Sequence, residues 1–125
     1  MLKACVIGIG NMGRHHTRIY AENHQIKLEG ICDYNEETGK SYSEKYNTQF
    51  YNNYIEMLDR EKPDLVSLVT PTSTHNEIGK EVLSRGIHLL VEKPIADTVR
   101  NAEELIKIAE RNNLILLVGH IERYN

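Results

Sequence analysis

A glycine-rich segment, Gly8-Ile9-Gly10-Asn11-Met12-Gly13, lies between an apolar run and a stretch with helical periodicity. In that setting Gly8 permits a tight turn, Gly10 leaves room for a phosphate group near the backbone, and Gly13 lets a helix pack closely on the strand. Asp33 closes a second apolar run twenty residues after Gly13. The arrangement predicts a βαβ unit that binds a dinucleotide.

The chemistry of this unit depends on the helix start and on the acidic residue. Backbone N–H groups in the first helical turn, including those of Asn11 and Met12, are expected to face a pyrophosphate. Asp33 is expected to bind the hydroxyls of the adenine ribose, and no Arg or Lys follows before Lys40 to hold a 2′-phosphate. We therefore expect NAD, with NADP disfavoured. Alternatively, Asp33 only caps the helix that begins near Glu36.

Strand-like and helix-like segments alternate along the rest of the chain. Strands are predicted at 3–7, 27–32, 65–69, 88–91 and 115–118, with a short additional candidate at 49–51. Helices are predicted at 12–22, 36–46, 53–60, 74–85 and 98–111, the last with Ala102, Leu105, Ile106 and Ala109 on one buried stripe. The alternation predicts an α/β fold, with a doubly wound, mostly parallel sheet of the Rossmann type. We expect one domain over residues 1–125.

Composition and charge exclude several classes of protein. The net charge of −3 argues against a nucleic-acid partner, which would require a clustered basic surface. The longest apolar run, residues 114–118, is too short to span a membrane. Cys5 and Cys32 lie in apolar runs and are expected to be buried thiols without a disulfide. With no signal peptide visible, these features predict a cytoplasmic protein.

The histidines do not predict a metal site. His15 and His16 are adjacent, so on a helix their side chains would point about 100° apart. His75 and His120 each lie just beyond a predicted strand. For both, a solvated loop histidine and a cofactor contact remain open.

Two loops follow predicted strands at the edge where doubly wound sheets bind ligands. The first contains Thr70, Pro71 and Thr72, for which cofactor contact is expected, although a hydroxyl there could simply cap the next helix. The second is Glu92-Lys93-Pro94, which on a surface loop would be unremarkable. Beside a nicotinamide, Lys93 could bind a substrate hydroxyl and assist the proton transfer that accompanies hydride loss.

Together with the closing segment Gly119-His120-Ile121-Glu122-Arg123-Tyr124-Asn125, these motifs resemble the Gfo/Idh/MocA family. The resemblance implies an NAD(P)-dependent dehydrogenase of sugars, inositols or related polyols. The closing segment looks most like members that oxidise UDP-N-acetyl amino sugars at the 3-position. The resemblance further implies that Lys93 is catalytic, that its bond to Pro94 is cis, and that Glu92 and His120 line the nicotinamide end of the cofactor.

Family members are more than twice as long and carry a C-terminal α/β domain, which the resemblance implies is absent from this sequence. We therefore expect the chain alone to bind cofactor without turnover, as part of an enzyme acting on a small-molecule sugar or nucleotide sugar. A homo-oligomer is an additional expectation. Two alternatives stay open: a stand-alone NAD-binding redox sensor or partner-subunit module, and a degenerate gene product without function.

Overall fold

Six parallel strands form one sheet in the computed structural model, which describes residues 1–119 except for the side chain of Asn11. The strands are β1 (Leu2–Ile7), β2 (Ile26–Cys32), β3 (Gln49–Tyr51), β4 (Leu65–Leu68), β5 (His88–Val91) and β6 (Leu116–Val118). The helices are α1 (Gly10–Glu22), α2 (Glu36–Lys45), α3 (Tyr54–Glu61), α4 (His75–Ser84) and α5 (Val99–Arg111), with a 3₁₀ turn at Thr72–Thr74.

The strand order is β3-β2-β1-β4-β5-β6, and each neighbouring pair is parallel. The order reverses between β1 and β4, which is the topological switch point of a doubly wound sheet. Every predicted strand and helix is present, and their ends differ from the prediction by at most two residues. The predicted fold class is therefore confirmed.

Helices cover the sheet on two faces, and the alternation of side chains along each strand supplies both cores. In β1, Ala4 and Val6 face α1, whereas Cys5 and Ile7 face the opposite layer of helices. The first core includes Ile9, Tyr20, Leu28 and Ile31. The second includes Met57, Leu58, Ile78, Val82, Leu83, Leu105 and Ala109 from α3, α4 and α5.

One part of the predicted stripe on α5 is wrong. Leu105 and Ala109 are buried, but Ile106 is 41% exposed. Leu105 and Ala109 are one helical turn apart and meet the core along a narrow line. Ile106 lies about 100° around the helix from Leu105, outside that line.

The two cysteines lie within the sheet, where both are buried and free. Burial raises the pKa of the Cys32 thiol to about 12, with a smaller contribution from the nearby Asp33 carboxylate. Burial also raises the pKa of the Cys5 thiol. Both thiols therefore stay protonated and act as small apolar side chains.

Residues 1–119 contain no helix with the length and apolarity needed to cross a bilayer. The same part of the chain contains no cluster of three or more His, Cys, Asp or Glu side chains suited to a metal ion.

Candidate dinucleotide site

The register of the strands brings the predicted site residues to one edge of the sheet. Ile7, the last residue of β1, lies opposite Cys32 in β2 and Leu68 in β4. Leu68 in turn lies opposite Val91 in β5. The residues that follow these strands therefore leave the sheet at the same edge: Gly8, Asp33, Val69 and Glu92.

The turn between β1 and α1 depends on glycine at two positions. Gly8 has φ +92°, and a Cβ there would lie 2.8 Å from the carbonyl oxygen of Val69. A Cβ on Gly13 would lie 1.9 Å from the carbonyl oxygen of Gly8, closer than atoms can approach. The glycines thus allow β1, α1 and the end of β4 to meet.

A ligand can approach this turn from outside the sheet. A Cβ on Gly10 would meet no atom within 4 Å, so the backbone there borders open space. No side chain caps α1 at Ile9, and its first turn holds no acidic residue. The first N–H groups of α1 and the positive end of its dipole are therefore suited to an anionic pyrophosphate.

Asp33 connects the end of β2 to the glycine turn. Its Oδ2 accepts a hydrogen bond from the Ile9 N–H at 2.7 Å, and its Oδ1 accepts one from the Asn35 N–H at 2.8 Å. The cap of α2 is Asn35, whose Oδ1 accepts from the Thr38 N–H, so the alternative that Asp33 caps this helix is wrong. Asp33 is only partly buried, and its oxygens keep lone pairs for ribose hydroxyls.

A cavity of about 380 Å³ lies beside Asp33 and the glycine turn. Its lining residues come from four strand ends and from α1, α3 and α4: Ile7, Gly8, Ile9, Gly10, Cys32, Asp33, Tyr34, Asn52, Asn53, Tyr54, Ile55, Val69, Thr70, Pro71 and Ile78. Sequence reasoning missed Tyr34 and the segment from Asn52 to Ile55. Because Asn52 directly follows β3, the rule applied to the other strand ends could have found this segment.

The loop after β4 is held by its own threonines. The Thr70 and Thr74 hydroxyls lie 2.6 Å apart, and the Thr74 hydroxyl also donates to the Pro71 carbonyl oxygen. Thr74 occupies the N-cap position of α4, yet its side chain makes no capping hydrogen bond. Thr70 and Pro71 line the cavity, while Thr72 begins the 3₁₀ turn.

His75 is buried at the start of α4, only 1% exposed, so it is not the solvated loop histidine considered from the sequence. Its Nε2 lies 2.9 Å from the Thr70 carbonyl oxygen. Its Nδ1 lies 3.1 Å and 3.2 Å from the carbonyl oxygens of Pro94 and Ile95. The ring therefore bridges the loop after β4 and the loop after β5.

The Glu92-Lys93-Pro94 segment contains one buried and one exposed charged side chain. Glu92 is 7% exposed and pairs with His16 of α1, whereas Lys93 is exposed and makes no hydrogen bond or ion pair within residues 1–119. The Lys93–Pro94 peptide bond is cis, as the family resemblance implied. Sequence reasoning did not identify His16 as a partner of Glu92. His120 lies outside the described residues.

A glycine turn, an open helix N-terminus and a carboxylate after β2, arranged on a doubly wound sheet, define the class of protein as a dinucleotide-binding Rossmann domain. A sequence model of one family, described as an oxidoreductase family with an NAD-binding Rossmann fold, matches residues 2–120. The chain belongs to this family, the Gfo/Idh/MocA oxidoreductases. The predicted family and cofactor are therefore confirmed.

Three relatives illustrate the similarity. The chain is 34% identical over 122 residues to UDP-N-acetylglucosamine 3-dehydrogenase of Acidithiobacillus ferrooxidans, covering 98% of this chain and 38% of that protein. The crystal structure of myo-inositol 2-dehydrogenase from Lactobacillus plantarum matches with a TM-score of 0.90 at 27% identity, covering 99% and 38% of the two chains. That of GenD2 from gentamicin A biosynthesis, in complex with NAD, matches with a TM-score of 0.90 at 26% identity, covering 94% and 34%. The chain thus spans less than two-fifths of each relative.

Proposed function

We propose that this chain is the cofactor-binding part of an enzyme that oxidises a secondary alcohol of a sugar, nucleotide sugar or polyol. The observation that supports it best is the common edge at which the glycine turn, Asp33 and the Glu92-Lys93 pair leave the sheet. A dinucleotide lying along that edge would meet all three groups. The dehydrogenase relatives support the reaction class and the substrate class.

The glycine turn and Asp33 hold the pyrophosphate and the adenine ribose of the cofactor. Backbone groups of Gly8, Gly10, Asn11, Met12 and Gly13 bind the pyrophosphate, and Asp33 binds the adenine ribose. Its carboxylate would repel the 2′-phosphate of NADP, which favours NAD.

The rest of the cofactor extends over β4 and β5. Thr70, Pro71 and Thr72 follow β4 and contact the cofactor there. Glu92 follows β5 on the nicotinamide side, and the family resemblance assigns Glu92 and His120 to the nicotinamide end. Because both nitrogens of His75 already face backbone carbonyl oxygens, we place this ring behind the cofactor rather than against it.

The reaction separates a hydride and a proton from the alcohol. Bound NAD supplies the hydride acceptor, at C4 of its nicotinamide. Lys93 is the catalytic residue: its exposed amino group binds the substrate hydroxyl and assists removal of the hydroxyl proton. The hydride would go to the bound cofactor and the hydroxyl proton to the Lys93 amine, which leaves a carbonyl product.

The chain alone binds cofactor without turnover in this proposal, since it spans only 38% of the dehydrogenase from Acidithiobacillus ferrooxidans. Its two free, buried cysteines support a cytoplasmic location.

Titration with NADH, followed by fluorescence and calorimetry, tests the proposal. We expect saturable binding, with NADPH binding more weakly. A folded protein that gives no signal with NADH contradicts the cofactor assignment. An activity assay with NAD and a set of polyols and nucleotide sugars tests whether the chain alone lacks turnover. Turnover by the chain alone contradicts the proposal that it only binds the cofactor.

A further inference from the structure

A chain of buried polar side chains connects α1, β4 and the end of β5. Tyr20 and His16 lie on α1, Ser67 lies in β4, and Glu92 follows β5. The Tyr20 hydroxyl lies 2.5 Å from Ser67 Oγ, which lies 2.9 Å from His16 Nδ1. His16 Nε2 lies 2.7 Å from Glu92 Oε1. All four residues are at least nine-tenths buried.

The sequence builds this network from ordinary periodicities. His16 and Tyr20 are four residues apart and share one face of α1. In β4, Val66 and Leu68 face the opposite core, so Ser67 between them points toward α1. Ser67 is a polar residue in a buried strand, and its two hydrogen-bond partners account for its burial.

The hydrogen bonds can run in one direction through the network. The Glu92 carboxylate accepts, so His16 Nε2–H donates to it, and Nδ1 is left to accept from the Ser67 hydroxyl. Ser67 Oγ then accepts from the Tyr20 hydroxyl, whose proton is retained because burial raises the pKa of Tyr20. Both ring nitrogens of His16 therefore have hydrogen-bond partners, and Ser67 and Tyr20 define the position and tautomer of the ring.

The network ends on the nicotinamide side of the proposed cofactor site. Glu92 follows Val91, which lies opposite Leu68, on the side of the switch point away from Asp33. An adenine ribose at Asp33 and a pyrophosphate at the glycine turn place the nicotinamide over β4 and β5. Oxidised nicotinamide is a cation and reduced nicotinamide is neutral, so a fixed carboxylate interacts with the two forms differently.

Building on the proposed function, we propose that His16 positions the Glu92 carboxylate beneath the nicotinamide, where it favours binding of the oxidised cofactor over the reduced one. His16 is a positioning residue, and Ser67 and Tyr20 hold its ring. Because the Glu92 side chain is only 7% exposed, we use an effective dielectric constant of ~20. After a discount for solvent screening of the ring, one unit charge several ångströms away changes the affinity by about tenfold. This is the effect expected on NAD⁺ but not on NADH.

The test measures dissociation constants of NAD⁺ and NADH for the same protein by calorimetry. Glu92→Gln keeps the shape but removes the charge, and we expect NAD⁺ binding to weaken about tenfold while NADH binding changes less than twofold. A tenfold change in the ratio raises the midpoint potential of the bound two-electron couple by about 30 mV. His16→Ala is expected to shift the ratio in the same direction, and His16→Gln, which retains one N–H donor for Glu92, to restore part of it.

Ser43→Ala is the matched control, because Ser43 is a buried hydroxyl on α2 that bonds to the Lys40 carbonyl oxygen away from this network. It should leave the ratio unchanged. Equal weakening of NAD⁺ and NADH in Glu92→Gln overturns the inference but leaves the proposed function standing. If Glu92→Gln does not fold, the same ratio in His16→Ala decides. A folded wild-type chain that binds neither form refutes the proposed function, and this inference with it.

Discussion

The Asp33 carboxylate and the Ile9 N–H are joined by a hydrogen bond of 2.7 Å that ties the end of β2 to the glycine turn. The residue expected to recognise the ribose therefore also stabilises the loop expected to hold the pyrophosphate. An alanine substitution at Asp33 is therefore expected to lower both the free energy of unfolding and the affinity for NAD.

Asp33→Ala should weaken NAD binding at least tenfold and narrow the preference for NAD over NADP. It should also lower the free energy of unfolding by about 1–2 kcal/mol, because the Ile9 N–H loses its acceptor. Asp64→Ala is the matched control, since Asp64 Oδ2 accepts from the Lys3 N–H at 2.9 Å at the other end of the sheet. Calorimetric NAD titration and urea unfolding measure both quantities. Equal NAD affinity in the Asp33→Ala variant and wild type contradicts the ribose assignment.

Gly13 and Gly10 should respond differently to alanine. Gly13→Ala places a Cβ 1.9 Å from the Gly8 carbonyl oxygen and should lower the free energy of unfolding by about 3 kcal/mol, because α1 must move. Gly10→Ala meets no protein atom within 4 Å, but its φ of +35° makes alanine cost about 1–2 kcal/mol. Its methyl group fills the space proposed for the pyrophosphate, so NADH affinity should fall more than tenfold. Unchanged NADH affinity in Gly10→Ala argues against that placement.

His75→Ala should loosen the segment from Glu92 to Thr98, because the ring bridges the Thr70 and Pro94 carbonyl oxygens. Hydrogen exchange followed by mass spectrometry should show that the substitution accelerates exchange, relative to wild type, more in residues 92–98 than in α1. His88→Ala serves as a comparison. His88 begins β5, the strand that precedes residues 92–98, and its Nδ1 accepts a hydrogen bond from the Ile115 N–H. If His75→Ala accelerates hydrogen exchange uniformly over the whole chain, the substitution destabilises the fold generally, and His75 does not stabilise this segment locally.

The buried thiols should make stability fall in alkaline solution. The folded state raises the pKa of Cys32 from 9.0 to about 12, and raises that of Cys5 as well, so it retains protons that the unfolded chain releases. This contribution is fully present below pH 9 and is lost progressively between about pH 9 and 12, by up to about 1.4 kcal/mol per pH unit for each thiol. Urea unfolding across this range should show the decline. Replacing both cysteines by alanine should flatten it, and an equally steep decline in that variant rules out the thiols as its cause.

Self-association is expected through the β6 edge, where Ile115, Leu117 and Val118 are 56%, 55% and 43% exposed. An edge strand with apolar side chains favours pairing with a second copy of the chain. Sedimentation velocity should show concentration-dependent dimers that Leu117→Lys abolishes. Val99→Lys, at an apolar residue that is 75% exposed on α5, should leave them intact. A wild-type chain that stays monomeric at high concentration contradicts this expectation.

Much of the fold and part of the site follow from local spacing in the sequence. The glycines at 8, 10 and 13, the apolar runs and the helical periodicities determine a doubly wound sheet, because each reports a turn, a strand or a helix face within a few residues. The carboxyl-end rule then indicates Asp33, Thr70 and Glu92 without knowledge of any contact. The prediction for Ile106 is wrong because periodicity identifies an apolar stripe on the helix. It does not show how much of that stripe the neighbouring elements bury.

Tertiary structure alone decided which groups meet. His16 and Glu92 are 76 residues apart, and their contact depends on the order of β1, β4 and β5 and on the rotation of α1. The same holds for His75, whose ring meets two loops brought together by the register of β4 and β5. Periodicity determines which residues are inside, but only the packing of distant elements determines which buried polar atoms become partners.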